Sequence, residues 1–560
     1  MTPIAQALKA LDAADHWLKR APLRQTWLEN GLHTGETLPQ IIERKVAADP
    51  DIQVVFGSRE RPSAPTTSQM LAESLVVARG LRALGLVEGD VVAMQLPNWS
   101  EAVVALLATW RLGMIAVPIV HTYGPAEMSY ILETTCARAL FVPDRWRKID
   151  YDARIQAFSG LPYLEHVIVL GDGPMSRPVT RWEELLAMAD DAPLPALSAS
   201  PDDACLINFT SGTTSAPKGV VHTHHSLATE MVLFPGIHSP EGRPRFMPMP
   251  GGHIAGLIGQ MQPFLAAMPM ILMDHFDEAL TLELCELYRP DRAGGVPFHV
   301  EFFCDHAEAL FPDGCLQMSV GAANVAPTLM QRCDELGWPS TRSYGSTEHP
   351  TISGTAPDDS YEKRTTTDGA LLEGISIRLV DDEGADVTGT GPGEIVSMGP
   401  ELCKGYLDPV LNAAGFAEDG WFLTGDIGVL DEDGFLTIVD RKKDIIIRGG
   451  ENISSKEVED VLRQHPEVVE VAAVGWPDQR LGERVGVFVR VRNEGALDLE
   501  AIKAHFRSVG TAIHKTPEFL VLVDDYPRTP AGKIIKVELR ERARTMQDAA
   551  AGASAMGIKA

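Results

Sequence analysis

The sequence predicts an α/β fold: a large N-terminal domain of parallel-rich sheets covered by helices, then a small α+β C-terminal domain. Three observations predict it. The chain has 560 residues, too many for one core, so it divides into packed subdomains. Apolar strands and amphipathic helices alternate across 69–142, and this rhythm builds parallel sheets with helices on their faces. Past a turn-rich crossing at 427–450, a self-contained mixture of helices and strands follows.

Each element has a local reason. Gln69 to Leu84 carries Leu71, Leu75, Ala78 and Leu81 at helical spacing and stops near Gly85. Val91 to Leu96 is a short apolar strand. Ser100 is placed to cap a helix from Glu101 to Leu112, which Gly113 ends. Ile115–Ile119 and Ala139–Val142 are the next strands. The crossing contains Gly428, Asp431-Glu432-Asp433-Gly434 and Asp440-Arg441-Lys442-Lys443-Asp444. Beyond it, Ser454 with Glu457 three residues on starts a helix to Gln464. Strands at Val468–Val474 and Val485–Val491, a helix near Leu499–Arg507 and a strand near Phe519–Val523 complete the pattern. The boundaries read from this are 1–442 for the large N-terminal domain, 443–545 for the C-terminal one, and 546–560 for a disordered Ala- and Gly-rich tail.

Composition narrows the partners. With 45% hydrophobic and 22% charged residues, this is the make-up of a soluble globular protein. Net charge is 49 − 77 = −28, which argues against nonspecific binding to nucleic acid or anionic membranes. Seven scattered cysteines form no C-x-x-C pair, so neither a zinc site nor a disulfide framework is indicated, and a reducing cytoplasm fits. The N-terminus lacks a signal-peptide apolar core. Residues 254–273 are long enough to span a membrane, but Gln260, Gln262, Pro263 and Pro269 interrupt them, which fits a soluble core better.

Residues 209–219, FTSGTTSAPKG, follow the strand-like run Ala204-Cys205-Leu206-Ile207. Thr210, Ser211, Thr213, Thr214 and Ser215 supply hydroxyls, Gly212 and Gly219 admit close backbone approach, and Lys218 supplies a charge. This is a loop for a small anion, although alone it is equally a polar surface turn. It is not a Walker A loop, because Lys218 has no glycine before it and no Ser/Thr after it.

Four further segments follow in order: YGSTE at 344–348, GWFLTGD at 420–426, DRKKDIIIRGGENIS at 440–454 and PRTPAGKIIK at 527–536. With the hydroxyl loop, they closely resemble the adenylate-forming superfamily, which includes the AMP-forming acyl-CoA synthetases. The resemblance runs from about Glu36 to Glu541. It implies ATP and CoA as co-substrates, Mg2+, and a small domain that moves. The phosphates would lie among Thr210, Ser211, Gly212, Thr213, Thr214 and Lys218. Adenine would stack on Tyr344 beside a wall of Gly321, Ala322 and Ala323, with Gly345 and Thr347 completing the nucleotide site. Glu348 would hold Mg2+, with Thr210 in its shell. Asp426 would clamp the ribose hydroxyls with help from Arg441. Lys533 would touch both carboxylate and α-phosphate, Lys443 would be the hinge, and Gly449-Gly450 would line a pantetheine tunnel. Each of these residues also has an ordinary reading as a turn, surface pair or packing position, and only their order together favours the site.

Two departures stand out. His253, in PGGHIAG, resembles the histidine that lies beside the acyl carboxylate, but Gly252 stands where the family has an aromatic. Gly252 is therefore expected to widen the acyl site. Ser215 stands where a glycine is usual. His222, His224 and His225 lack the carboxylate or cysteine partner of a metal site and fit a turn before a helix cap at Ser226.

The leading reading is an acyl-CoA synthetase joining a carboxylic acid to CoA through an acyl-adenylate. The alternatives are a stand-alone adenylating enzyme that loads a carrier protein, and a noncatalytic nucleotide- or acyl-binding pseudoenzyme. Intact Lys533, Glu348, Asp426 and Arg441 weigh against the last. The segment from Val91 to Ile119 resembles synthetases of medium-chain, branched, alicyclic and steroid-derived acids, and no cation is evident for a second carboxylate. A bulky hydrophobic acid is expected. A homodimer is left open, and no nucleic acid or membrane span is expected.

Overall fold

The computed structural model describes residues 2–158, 160–210, 217–233, 238–321, 325–449, 451–478, 480–493, 495, 497–528 and 533–555. The chain divides into two compact units: Met1–Ser376 with Ser397–Phe422, and Ile377–Val396 with Leu423–Ala560.

The first unit holds two eight-stranded sheets. In one, Val54–Gly57, Met270–Met273, Arg245–Met247, Arg292–Gly295, Gln317–Val320 and Ser340–Tyr344 lie side by side and parallel. In the other, Ile115–Pro118, Val91–Met94, Ala139–Pro143 and His166–Leu170 are parallel. The antiparallel hairpin of Ala204–Thr210 and Lys218–Thr223 extends that sheet to Gly405–Tyr406 at its edge. Parallel strands need covered crossovers, which is why helices intervene between them in sequence.

Local chemistry sets the helices. Thr67–Ala83 starts at a capping box of Thr66 and Gln69. Its buried stripe is Met70, Ser74, Val77, Ala78 and Leu81, rotated by about one residue from the Leu71–Leu75 face that spacing suggests. Ser100 is the first residue of the helix Ser100–Arg111 rather than its cap, and Trp99 takes that place with no side-chain bond. Trp99 is drawn inward instead, donating its indole N–H to Asp274 at 3.3 Å. Ala102 to Trp110 are all buried, so this helix is apolar on every side and sits in a core shared by strands of both sheets. The apolar run 254–273 splits into the helix Ile254–Leu265 and the strand Met270–Met273, and no helix among the described residues is long and apolar enough to cross a membrane.

The second unit carries a four-stranded sheet, Ser376–Val380, Gly393–Met398, Phe422–Leu430 and Leu436–Arg441. It also carries a five-stranded sheet built on the long hairpin Val468–Asp478 and Gly482–Val491. Ser454 caps the helix Ser455–Arg463, accepting from Glu457 N. The tail expected to be disordered from 546 is corrected in part: the helix Lys536–Ala555 runs into it, and 556–560 lie outside the described residues. Trp476 donates its indole N–H to Gln547 Oε1 at 3.0 Å, a long-range anchor that tail composition does not reveal.

Candidate active site

In parallel α/β sheets ligands bind beyond the carboxyl ends of the strands. Four adjacent strand ends in the first unit lead into His253, Gly295, Gly321 and Tyr344. Val320 and Arg342 are register partners, so Gly321 and Tyr344 follow neighbouring strand ends. Gly321 N donates to Gly295 O at 3.2 Å, and a Cβ on Gly321 would stand 2.9 Å from Ser343 Oγ. Ala322 and Ala323 lie outside the described residues.

The YGSTE segment forms a tight turn. A Cβ on Gly345 would meet Pro350 O at 1.9 Å, so only glycine fits. Ile352 N donates to Tyr344 O at 2.8 Å and Ser346 N to His349 O at 2.9 Å. His222 Nε2 bonds Thr347 O at 2.7 Å, and Cys403 N donates to Glu348 O at 2.8 Å. The Glu348 carboxylate accepts from the Tyr406 hydroxyl at 2.6 Å. Burial first, then the Glu348 charge, push that hydroxyl well above the usual tyrosine range, so it stays a donor.

Tyr406 has a second neighbour. Lys218 Nζ lies 5.8 Å from its ring centroid, within reach of a cation–π contact. Lys218 and Thr210 are register partners in the hairpin whose connecting residues Ser211, Gly212, Thr213, Thr214 and Ser215 lie outside the described residues. One tyrosine thus joins the lysine of the hydroxyl loop to the glutamate of YGSTE. Sequence reasoning missed Tyr406. Its only local signal is a buried aromatic after Gly405, whose hydroxyl needs a partner.

His253 caps the helix Ile254–Leu265 by position, and its N donates to Pro250 O at 3.0 Å. The turn before it is held by two asparagines. Asn98 Nδ2 donates to Met249 O at 2.8 Å, Gly251 N to Asn98 Oδ1 at 2.9 Å, and Asn208 Nδ2 to Gly252 O at 2.9 Å. The expectation that Gly252 widens an acyl site is corrected. A Cβ there would stand 2.6 Å from Val120 N and 2.7 Å from Val120 Cα, so the position faces backbone. Gly252→Trp should therefore destabilise the whole fold by at least about 1–3 kcal/mol instead of changing acid preference. Thermal midpoints and relative kcat/KM for a ring acid and a linear acid check this. Beside His253 is His121, which the sequence did not single out. Burial first, and then His253, bring its pKa down to about 4, so it is neutral.

The three clustered histidines point to separate partners. His222 bonds Ser226 Oγ at 3.0 Å, Leu38 N donates to His224 Nδ1 at 3.3 Å, and His225 pairs with Asp202 at 2.9 Å. The helix starts at His224, with Ser226 N donating to Thr223 Oγ1 at 3.1 Å, so Thr223 takes the capping place expected of Ser226.

In the second unit, Asp426 and Arg441 are register partners on neighbouring strands, with Nε to Oδ1 at 3.2 Å. The segment with Lys443 is anchored on both sides. Asp440 accepts from Ser455 N at 2.5 Å and Ser455 Oγ at 3.2 Å, while Asp444 pairs with Arg540. Lys443 itself is exposed. Lys533 is also exposed; next to it Arg528 and Ile534 form a bridge, and Ile535 N donates to Pro527 O at 2.8 Å. Gly449 adopts φ +62° and donates its N–H to Leu481 O at 2.7 Å, while Gly450 lies outside the described residues.

Known proteins resemble this chain in sequence and fold. Residues 42–407 match the model of the AMP-binding enzymes, and 457–533 match the AMP-binding enzyme C-terminal domain. The chain is 31% identical over 526 residues to a medium-chain fatty-acid–CoA ligase of Escherichia coli, covering 92% of each chain. It is 32% identical over 522 residues to a methyl-dioxo-octahydro-indenyl propanoyl:CoA ligase of Mycobacterium tuberculosis, covering 90% of this chain and 98% of the relative. Among solved structures it resembles the o-succinylbenzoate coenzyme A synthetase of Bacillus subtilis in complex with ATP and magnesium ion, with TM-score 0.76, 25% identity, and 90% and 99% of the two chains covered. By its fold, its ordered motifs and these matches, the chain belongs to the AMP-binding enzymes, the adenylate-forming acid–CoA ligases.

Proposed function

We propose that this ligase activates a bulky hydrophobic acid with ATP and Mg2+ and passes the acyl group to CoA. In the first half-reaction a carboxylate oxygen attacks the α-phosphorus and pyrophosphate leaves. In the second, the CoA sulfur attacks the acyl carbon, its proton is released, and AMP leaves. The observation that carries the reading is the line Lys218–Tyr406–Glu348, with Thr210 opposite Lys218. Phosphoryl-type transfer is catalysed chiefly by positioning and charge neutralisation, and this line sets a cation and an anion on either side of one tyrosine.

The residues fit Mg2+. Glu348 and Thr210 offer hard oxygen ligands, and the Tyr406 hydroxyl orients the carboxylate. When bound, the ion would screen the phosphates from the incoming carboxylate. Lys218 binds and orients the same phosphates, and Tyr344 supplies a face for adenine. Asp426 accepts from the ribose hydroxyls, with Arg441 holding its carboxylate in place. Lys533 neutralises the attacking oxygen. A swivel at Lys443 divides the small domain, 443–545, from 1–442.

The hydrophobic acid is supported by two relatives, whose substrates are a medium-chain fatty acid and a fused-ring propanoate. A cytoplasmic place is supported by seven free, buried cysteines, and a role in fatty-acid metabolism by the medium-chain fatty-acid relative. The test is pyrophosphate release across a panel of linear, branched, alicyclic and dicarboxylic acids, followed by thioester formation with CoA or with a carrier protein. Ring and branched acids should give the highest kcat/KM with CoA as acceptor. Release with no acid at all, or thioester on the carrier alone, would overturn it.

A further inference from the structure

Behind the YGSTE turn lies a pocket of polar side chains that the proposed chemistry does not use. Glu230 is 2% exposed, Glu401 2% and His349 0%. Thr351 donates its hydroxyl to Glu230 Oε1 at 2.7 Å. His349 Nδ1 bonds Ser397 Oγ at 2.8 Å, and its Nε2 lies 3.6 Å from Glu401 Oε1. Gly399 makes the room, because a Cβ there would stand 2.6 Å from His349 Nε2 and 3.1 Å from Glu401 Oε2. Glu230 Oε2, Glu401 Oε2 and His349 Nε2 are buried with no hydrogen-bond partner. Among the described residues no group of three or more His, Cys, Asp or Glu side chains could hold a metal ion.

We propose that Glu230, Glu401 and His349 are positioning residues that brace the 344–351 turn and so aim Glu348. The brace grips the turn at His349 and Thr351, and Cys403, two residues after Glu401, grips it at Glu348 O. This rests on the reading of Glu348 as a Mg2+ ligand. Two carboxylates in one dry pocket are costly to ionise together. Burial first, then the Glu401 charge, raise the Glu230 carboxyl to about 8, against the pull of the Thr351 bond. The charged group facing it is Glu401, which lies 3.6 Å from His349, and beyond His349 is His222, whose pKa burial brings down to about 4. At neutral pH Glu230 therefore carries a proton.

A proton held this way has a thermodynamic signature. The folded pKa is above the unfolded one, so the stability it contributes is complete below about 4.5 and is lost as pH rises through about 8.

The experiment uses the full chain and two measurements: thermal midpoint from about pH 5 to 9 without Mg2+, and the Mg2+ dependence of acid-driven ATP–pyrophosphate exchange. Glu230→Gln keeps an acceptor for Thr351 and should flatten the loss of midpoint with rising pH, with a near-normal Mg2+ requirement. Glu230→Ala should raise the half-saturating Mg2+ about ten-fold, with kcat at saturation much less affected. Should that variant fail to fold, Thr351→Val removes only the hydroxyl and should shift the Mg2+ requirement in the same direction. A Glu230→Gln enzyme with the parent pH slope, or folded Glu230→Ala and Thr351→Val enzymes with the parent Mg2+ requirement, would overturn the proposal. Glu348→Gln separates the two readings. If it leaves the Mg2+ requirement unchanged, the ligand reading fails. If it shifts the requirement while Glu230→Ala does not, the brace alone fails.

Discussion

Lys533→Ala is expected to slow acyl-adenylate formation about a hundred- to a thousand-fold, the usual cost of removing one preorganised charge from a developing anion. Two anions must meet in that step, and Lys533 is the cation assigned to the attacking oxygen. A compact ammonium on a flexible stem suits such a point contact. Lys533 is exposed, next to the Arg528–Ile534 bridge. The thioester step has no such anionic encounter, so CoA attack on supplied acyl-adenylate should stay within a few-fold of the parent rate. Separate assays of the two half-reactions check the division. Equal losses in both would mean that Lys533 acts on something common to them, such as nucleotide binding.

Lys443→Pro is the second large effect, and it should fall on the opposite half-reaction. Proline fixes φ near −65° and restricts Lys442 before it, so a swivel at this residue is blocked. The segment is anchored on both sides of Lys443: Asp440 is tied to Ser455, Asp444 to Arg540, and Lys443 N donates in no hydrogen bond among the described residues. Proline there removes no bond among the described residues. Lys442 N still donates to Gly425 O and Asp444 N to Arg441 O, both at 2.9 Å or less. Pyrophosphate exchange should persist while CoA-ester formation drops about ten-fold or more, as expected when a conformational step becomes limiting. Unchanged rates in both assays would remove Lys443 from the hinge.

The sequence by itself determined the class of fold and the family. Apolar periodicity is a local property, so the alternation across 69–142 was legible, as was the helix start at Ser454. Motif order carried the chemistry, because residues such as Asp426 and Arg441 lie on neighbouring strands of one hairpin, and short-range pairing follows the chain closely. Caps were less legible: Ser100 looked like one, but burial of Trp99 shifted the helix start by a residue. Only the tertiary structure decided what depends on distant contacts. Gly252 looked like an opened pocket, yet the Val120 backbone, just past the strand Ile115–Pro118, occupies the space where a side chain would stand. Tyr406 joins Lys218 and Glu348 across separations of 188 and 58 residues, and no local pattern encodes such a meeting. The same holds for Glu230 beside Thr351 and Glu401. Spacing along a chain reports which face a residue shares with its neighbours, whereas the partner of a buried polar group is chosen by packing between elements.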